Sequence, residues 1–244
     1  MMPKKLMMFL RKLHKWVGLL IGIQVILWLS SGLMLSLLNP EKVSGEEWAQ
    51  ASSHTSPAIP ESVLLEPDEL AAEHLDGALS ISLEARNGQP VYRVKRLNGT
   101  TLVNAVDGST IVIAKQDAHM LAQQDFTGEG EILSVIIGIA PDMETRDSTG
   151  AYWRVNFSDR AHTSIYVSAW TGEILERRNN YWRAFDFFWM LHIMDYSGHE
   201  DINNSLIITV ALVAIWLGIS GFILLFSSFR RRDFQFLTIP GKRE

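Results

Sequence analysis

An α+β fold carried by two membrane-spanning helices follows from three observations in this 244-residue chain. Two long apolar segments, roughly Trp16 to Leu38 and Leu206 to Phe229, lie near its two ends. Basic residues flank each segment on its outer side: Lys4, Lys5, Arg11, Lys12 and Lys15 before the first, Arg230, Arg231 and Arg232 after the second. The stretch between them is acidic, polar and broken by Asn-Gly, Asp-Gly and Thr-Gly turns, which reads as helices and antiparallel strands.

Each apolar segment has about the length needed to cross a hydrocarbon core of ~30 Å at ~1.5 Å per residue. The net charge of −5 conceals a strong asymmetry. Residues 1–38 carry five basic and no acidic side chains, residues 39–200 carry 12 basic and 24 acidic, and residues 201–244 carry five basic and three acidic. Basic flanks stay on the cytoplasmic side of a membrane. Both termini are therefore expected in the cytoplasm, with the central domain in the periplasm of a bacterial inner membrane. A net −12 on that domain argues against nucleic acid as a partner. The first segment is longer than a signal-peptide core of roughly 7–15 residues. It runs into Leu35-Ser36-Leu37-Leu38-Asn39-Pro40 with no small-x-small cleavage pattern, so it reads as an uncleaved anchor. The absence of cysteine excludes disulfides, iron–sulfur clusters, thiolate zinc and lipid attachment at a cysteine.

The elements follow in order. Residues 1–15 form a basic cytoplasmic start and residues 16–38 the first span. Gly18, Gly22, Gly32 and Ser36 recur along one face of it, as Ala211, Ala214, Gly218 and Gly221 do along the second span. Small residues let helix backbones approach closely in lipid, so the spans are expected to pack on each other or on a second copy. Gln24 is expected to bond a neighbouring helix. Residues 39–66, rich in Ser, Glu and Pro, read as a tether. Residues 67–127 form a first unit: a short helix to Leu75, strands around Ile81, Val94, Val103 and Ile111, and a closing helix over Lys115–Asp125. Residues 128–178 form a second unit, in which Glu131 to Ala140 reads as a helix or a buried strand, its place favouring the helix. Tyr152 to Phe157, Ser164 to Ser168 and the strand after Thr171-Gly172 repeat the earlier meander. Residues 179–200 predict an interfacial helix with Phe185, Phe188, Trp189, His192 and Tyr196 on one face and Arg183 and Asp186 turned away. The second span, residues 205–229, and a cytoplasmic tail, residues 230–244, complete the chain.

Several of these motifs carry a resemblance. Tyr152-Trp153-Arg154-Val155 followed by Trp170-Thr171-Gly172-Glu173-Ile174-Leu175, and the matching Val106-Asp107-Gly108-Ser109-Thr110-Ile111, are similar to the PepSY domain. The whole layout resembles bacterial PepSY-associated transmembrane proteins: Leu13-His14-Lys15-Trp16-Val17-Gly18 opens the first helix, Leu191-His192 precedes the last, and Ile219-Ser220-Gly221 leads to the basic stop. The resemblance implies two transmembrane helices flanking a periplasmic domain of two PepSY-like helix-plus-antiparallel-sheet units. It also implies two functional classes. One is a membrane-anchored interaction or regulatory module that binds an envelope protein or a second copy of itself. The other is a haem b electron-transfer subunit serving ferric iron or siderophore-iron uptake, as in larger relatives with more helices.

The histidines decide what a single chain could hold. His14 lies at the cytoplasmic edge of the first span and His192 about 14 residues before the second, so a membrane thickness separates them and they cannot ligate one haem. A haem between two imidazoles would need His14 with the His14 of a second copy, or His192 with a second His192 or with His199. His199, beside Glu200 and Asp201, is a candidate metal contact. His54, His74, His119 and His162 are scattered and read as surface or helix residues. No Gly-x-Ser-x-Gly, His-Glu-x-x-His or phosphate-binding glycine loop occurs, so hydrolysis and group transfer find no support.

Overall fold

The computed structural model describes residues 3–50, 64–86, 89–97 and 99–229. In chain order the elements are α1 (Lys4–Leu37), α2 (Pro40–Ser44), a 3-10 turn at Glu46–Trp48 and another at Pro67–Glu69, and α3 (Ala72–Leu75). Strands β1 (Ser80–Arg86), β2 (Gln89–Arg96), β3 (Gly99–Asn104) and β4 (Thr110–Ile111) follow, then α4 (Lys115–Asp125). Next come β5 (Ile132–Ala140), β6 (Gly150–Phe157), β7 (Ser164–Ser168) and β8 (Ile174–Arg178), with α5 (Asn180–Ile193) and α6 (Ser205–Ser228) last. Residues 51–63 of the expected tether, the arginines after the second span and the tail lie outside the described residues. The chain divides into two compact units, Met1–Leu37 with Phe185–Glu244, and Leu38–Ala184.

In the helical unit, α1 begins well before the apolar segment, because the preceding Lys, Leu, Met and Arg residues are all strong helix formers. It stops at Leu37, just short of Asn39-Pro40, where the proline disfavours helical backbone at the residue before it. Asn204 caps α6 by accepting from the Ile207 N–H at 3.0 Å. Both helices are long and apolar enough to cross a membrane. Their apolar side chains point outward all round: Leu20 is 77% exposed, Leu212 63% and Phe226 64%. A helix that is apolar on every face and unburied in its own protein requires a lipid environment.

The other unit holds two four-stranded antiparallel sheets, ordered β1-β2-β3-β4 and β5-β6-β7-β8. The first packs Tyr92, Val94, Val103 and Ala105 against Leu70, with Leu75 and Ile81 at the margin. The second buries Val155, Phe157, Ile165 and Val167 beneath α4, which lays Ala118 and Ala122, one helical turn apart, on the sheet together with Phe126. Phe126 and Phe157 meet at 4.1 Å between ring centres. Sequence order had made α4 the end of the first unit, but its core is the second sheet. Each unit is thus a helix followed by a four-stranded meander, with the boundary one helix earlier than expected.

Residues 131–140 are a strand, not the expected helix: β5 pairs along its length with β6, Val135 opposite Val155 and Gly138 opposite Tyr152. An uninterrupted apolar run gives no period, so place in the sequence decided the expectation, and composition was the better guide. Four isoleucines and a valine among nine residues favour the pleated sheet. Gly138 is needed there, since a Cβ would lie 2.4 Å from the Tyr152 ring. The expected helix before Leu75 is present only as a 3-10 turn and the four residues of α3.

The face of the second sheet away from α4 is polar. Arg183 donates to Glu144 at 2.8 Å and 3.2 Å, and Arg178 donates to the Glu144 carbonyl at 2.8 Å. The Tyr166 hydroxyl donates to the same carboxylate, and that of Tyr152 to Asp142. Burial would raise the Glu144 carboxyl, but the Arg183 and Tyr166 hydrogen bonds outweigh it and hold its pKa below the ordinary 4.5. Asp142 is lowered in the same way, with burial outweighed by Tyr152 and Thr145. Burial and the Asp142 contact push Tyr152 up to about 12. Burial raises Glu176, whose contribution has the opposite sign.

Two outcomes follow. Phe157→Ala should cost about 3–5 kcal/mol in a denaturant titration of the full chain in mild detergent, as expected when an aromatic leaves a closed core. The carboxylates held below their ordinary values stabilise the fold fully above about pH 4.5, and that contribution is lost as the pH falls through their folded values. Thermal unfolding between pH 7 and pH 3 should therefore show an acid decline that Glu144→Gln flattens. That variant should also lose about 2 kcal/mol at pH 7, a buried-pair cost discounted for partial exposure.

Candidate functional site

The helical unit brings two histidines to two equivalent settings. The helices α1 and α6 run antiparallel: the Ser227 hydroxyl reaches Met7 Sδ at 3.7 Å, and His14 meets Ser220 seven residues further along. His14 Nδ1 lies 2.8 Å from Ser220 Oγ. That hydroxyl also lies 3.1 Å from the Leu217 carbonyl, and its one hydrogen can serve either neighbour. Next to Ser220, a Cβ on Gly221 would lie 3.1 Å from His14 Cε1.

The second setting repeats this with the helices exchanged. His192, in the last turn of α5, places Nδ1 3.2 Å from the Trp28 carbonyl and 3.3 Å from Ser31 Oγ on α1. A carbonyl only accepts, so toward Trp28 it is Nδ1 that donates, while Ser31 itself donates to Trp28 O at 2.9 Å. A Cβ on Gly32 would lie 3.0 Å from His192 Cε1, and the Trp28 ring stacks on the imidazole at 5.3 Å and 9°. Each imidazole is thus seated on a Ser-Gly pair of another helix, Ser220-Gly221 and Ser31-Gly32. Both serines are buried.

Ser220 lies eight residues before the end of α6 at Ser228, roughly 12 Å along the helix. The end of α5 lies beside residues 28–32 of α1, inside the expected span of residues 16–38. Along α1 the two settings are eighteen residues, or roughly 27 Å, apart. One ligand cannot bridge them, as the sequence predicts.

The sequence model of the PepSY-associated TM region matches residues 11–244, nearly the whole chain. The chain belongs to this family. It is a membrane-associated PepSY protein, and the match runs through both helices and both sheets. No curated protein and no solved structure matches it.

Other candidate residues of this PepSY-associated protein fall elsewhere. His199 is buried in the α5–α6 connection, with Nδ1 2.7 Å from Asp186 Oδ2. Asp186 is therefore turned inward, not away. Asp195 organises the same loop by accepting from the backbone N–H groups of Gly198, Asp201 and Glu200 and from Ser197, which holds its carboxyl well below the usual range. Among the described residues no group of three or more His, Asp or Glu is arranged to hold a metal ion. His74 is buried, not exposed, and donates from Nε2 to the Gly108 carbonyl at 3.2 Å. His54 lies outside the described residues.

Gly18 faces Leu217, while a Cβ on Gly22 or Gly218 would meet nothing within 4 Å. The close approaches at Gly32 and Gly221 are to imidazoles and not to helix backbone. Of the Gln24 amide, Nε2 is buried and has no hydrogen-bond partner among the described residues. Sequence reasoning missed Ser31 and Ser220 as the partners of the two histidines. The signal was present, since each is followed by a glycine within an apolar helix. Gly32→Leu and Gly221→Leu should each lower the stability of the full chain in detergent by about 1–3 kcal/mol, through overpacking against a ring. Gly22→Ala and Gly218→Ala should leave it unchanged or raise it by up to about 1 kcal/mol.

Proposed function

We propose that the helix pair is a scaffold for a redox cofactor of the haem type, making the chain an electron-transfer subunit that serves ferric iron outside the cytoplasm. The observation that carries this reading is the matched state of the two histidines. Each ring is held at Nδ1 by a hydroxyl or carbonyl, and among the described residues neither Nε2 has a hydrogen-bond partner. This is how proteins orient and tune an imidazole that binds iron. A polar nitrogen left bare beside apolar helices is costly unless something occupies it, and ionisable residues at that depth mark function by default. The buried Gln24 Nε2 between the two settings, without a partner among the described residues, points the same way.

The residues fit such a group under one condition. His14 and His192 would each supply one axial nitrogen, and the roughly 27 Å between them means the second nitrogen must come from another copy or another subunit. When bound, haem supplies one-electron chemistry whose potential its ligands and burial set. The chain's own residues hold the rings: Ser220, Ser31 and the Trp28 carbonyl set their orientation, and Gly221 and Gly32 leave the space. The basic flanks support an orientation with both ends in the cytoplasm and the PepSY units in the periplasm. A second reading, a module that acts by binding another protein, is favoured by the uncovered apolar edge of β5.

The visible spectrum of the full chain, purified in mild detergent after expression with haem supply, tests the first reading. A Soret band that shifts on dithionite reduction is expected. It should fall to half or less in His14→Ala or His192→Ala, and weaken in Ser220→Ala. A colourless protein overturns the reading.

A further inference from the structure

We infer that β5 is the contact through which two copies of this chain associate, by antiparallel pairing of their β5 edges into one eight-stranded sheet. This deepens the binding reading of the PepSY units and needs no cofactor. β5 is the terminal strand of its sheet, and among the described residues nothing pairs with its outer edge. Nine residues long, it contains no charged residue and no proline. Leu133 is 66% exposed, Ile136 54%, Ile137 59% and Ile139 77%. Natural sheet edges are blunted by lysine, proline, bulges or shortness; β5 has one bulge, at Leu133 near its start, and the apolar edge beyond it is left bare. A strand of this kind is built to be covered.

The occupant that fits is a second β5. A register centred on Ile136 sets Val135 opposite the partner's Ile137 and Ser134 opposite the partner's Gly138. It also brings Leu133 and Ile139, the two most exposed side chains, together at each end. Glu131 then falls opposite the partner's Pro141, so no like charges oppose each other across the pair. The four exposed side chains offer roughly 500 Å² per copy, and the symmetric pair roughly 1,000 Å², the lower bound of a specific interface. Attachment to one membrane raises the effective concentration of the copies and lets an interface of that size hold.

The absence of cysteine makes the test direct. Single cysteines placed at each position from Leu133 to Ile139 in the full chain, in native membranes, are oxidised and compared with Val112→Cys, a collision control at a residue 58% exposed just after β4. Cross-strand Cβ atoms lie roughly 4.5–5.5 Å apart, close to what a disulfide spans. Ile136→Cys, on the two-fold axis, should give at least tenfold more dimer, at twice the 27.5 kDa of one chain, than the control. Adding Ile137→Lys and Ile139→Lys should lower that yield at least tenfold, with the near-ultraviolet circular dichroism of each chain unchanged. Yields at the control level along the whole strand overturn the inference. So does labelling of these positions by a lipid-phase reagent, or cross-linking to a different protein. A colourless preparation in the haem experiment bears on the histidines alone.

Discussion

In lipid, two apolar helices gain little by touching each other, because the tails they displace are as apolar as their own side chains. Whatever joins α1 to α6 and to the end of α5 must therefore be close packing or polar bonding. Here it is both, concentrated at two places. At each, an imidazole from one helix sits over a glycine and bonds the adjacent serine of another. The serine in turn donates back into its own helix, at Leu217 or Trp28, and so adds no unsatisfied group. The small-residue stripes serve this arrangement more than they serve backbone contact. Gly32 and Gly221 make room for rings, and Gly22 and Gly218 face open space.

The exchange of roles between the two places gives the anchor an internal symmetry of function. α1 contributes a ring to one setting and a Ser-Gly seat to the other. The C-terminal segment does the reverse, with its ring on α5 and its seat on α6. That pattern accounts for a chain of only two long helices keeping both Leu-His pairs. It also accounts for their separation. Rings at opposite depths cannot share one ligand within a chain, but like rings from two copies can. A copy-to-copy contact through β5 and a ligand shared between like histidines are different claims with different tests, yet both describe a chain completed by its own duplicate.

The PepSY units show why repeats are best read on strands. The correspondence of β2 with β6 and of β4 with β8 as repeats was legible from Arg-Val strands and Gly turns, because alternation and turn chemistry are local. The α4 helix was also legible, as Lys115–Asp125, but not its allegiance. Its Ala118 and Ala122 are small enough to lie on either sheet, and only the three-dimensional core assigns them to Val155, Phe157, Ile165 and Val167. β5 was misread for the opposite reason. Its two faces are both apolar and half-uncovered, so it lacks the alternation that a strand with one wet face displays.

From the sequence alone came the two spans, their basic flanks, the acidic domain between them, the doubled meander and the separation of the histidines. All of these rest on composition, length or spacing along a single element, where local rules are strong. Tertiary structure alone decided which serine each histidine meets and which ring nitrogen faces it. It also decided that Gln24 Nε2 has no partner among the described residues, and that a nine-residue apolar strand stands at an open edge. These depend on contacts between residues up to 206 positions apart, as for His14 and Ser220, and no local pattern encodes the register in which two helices slide past each other.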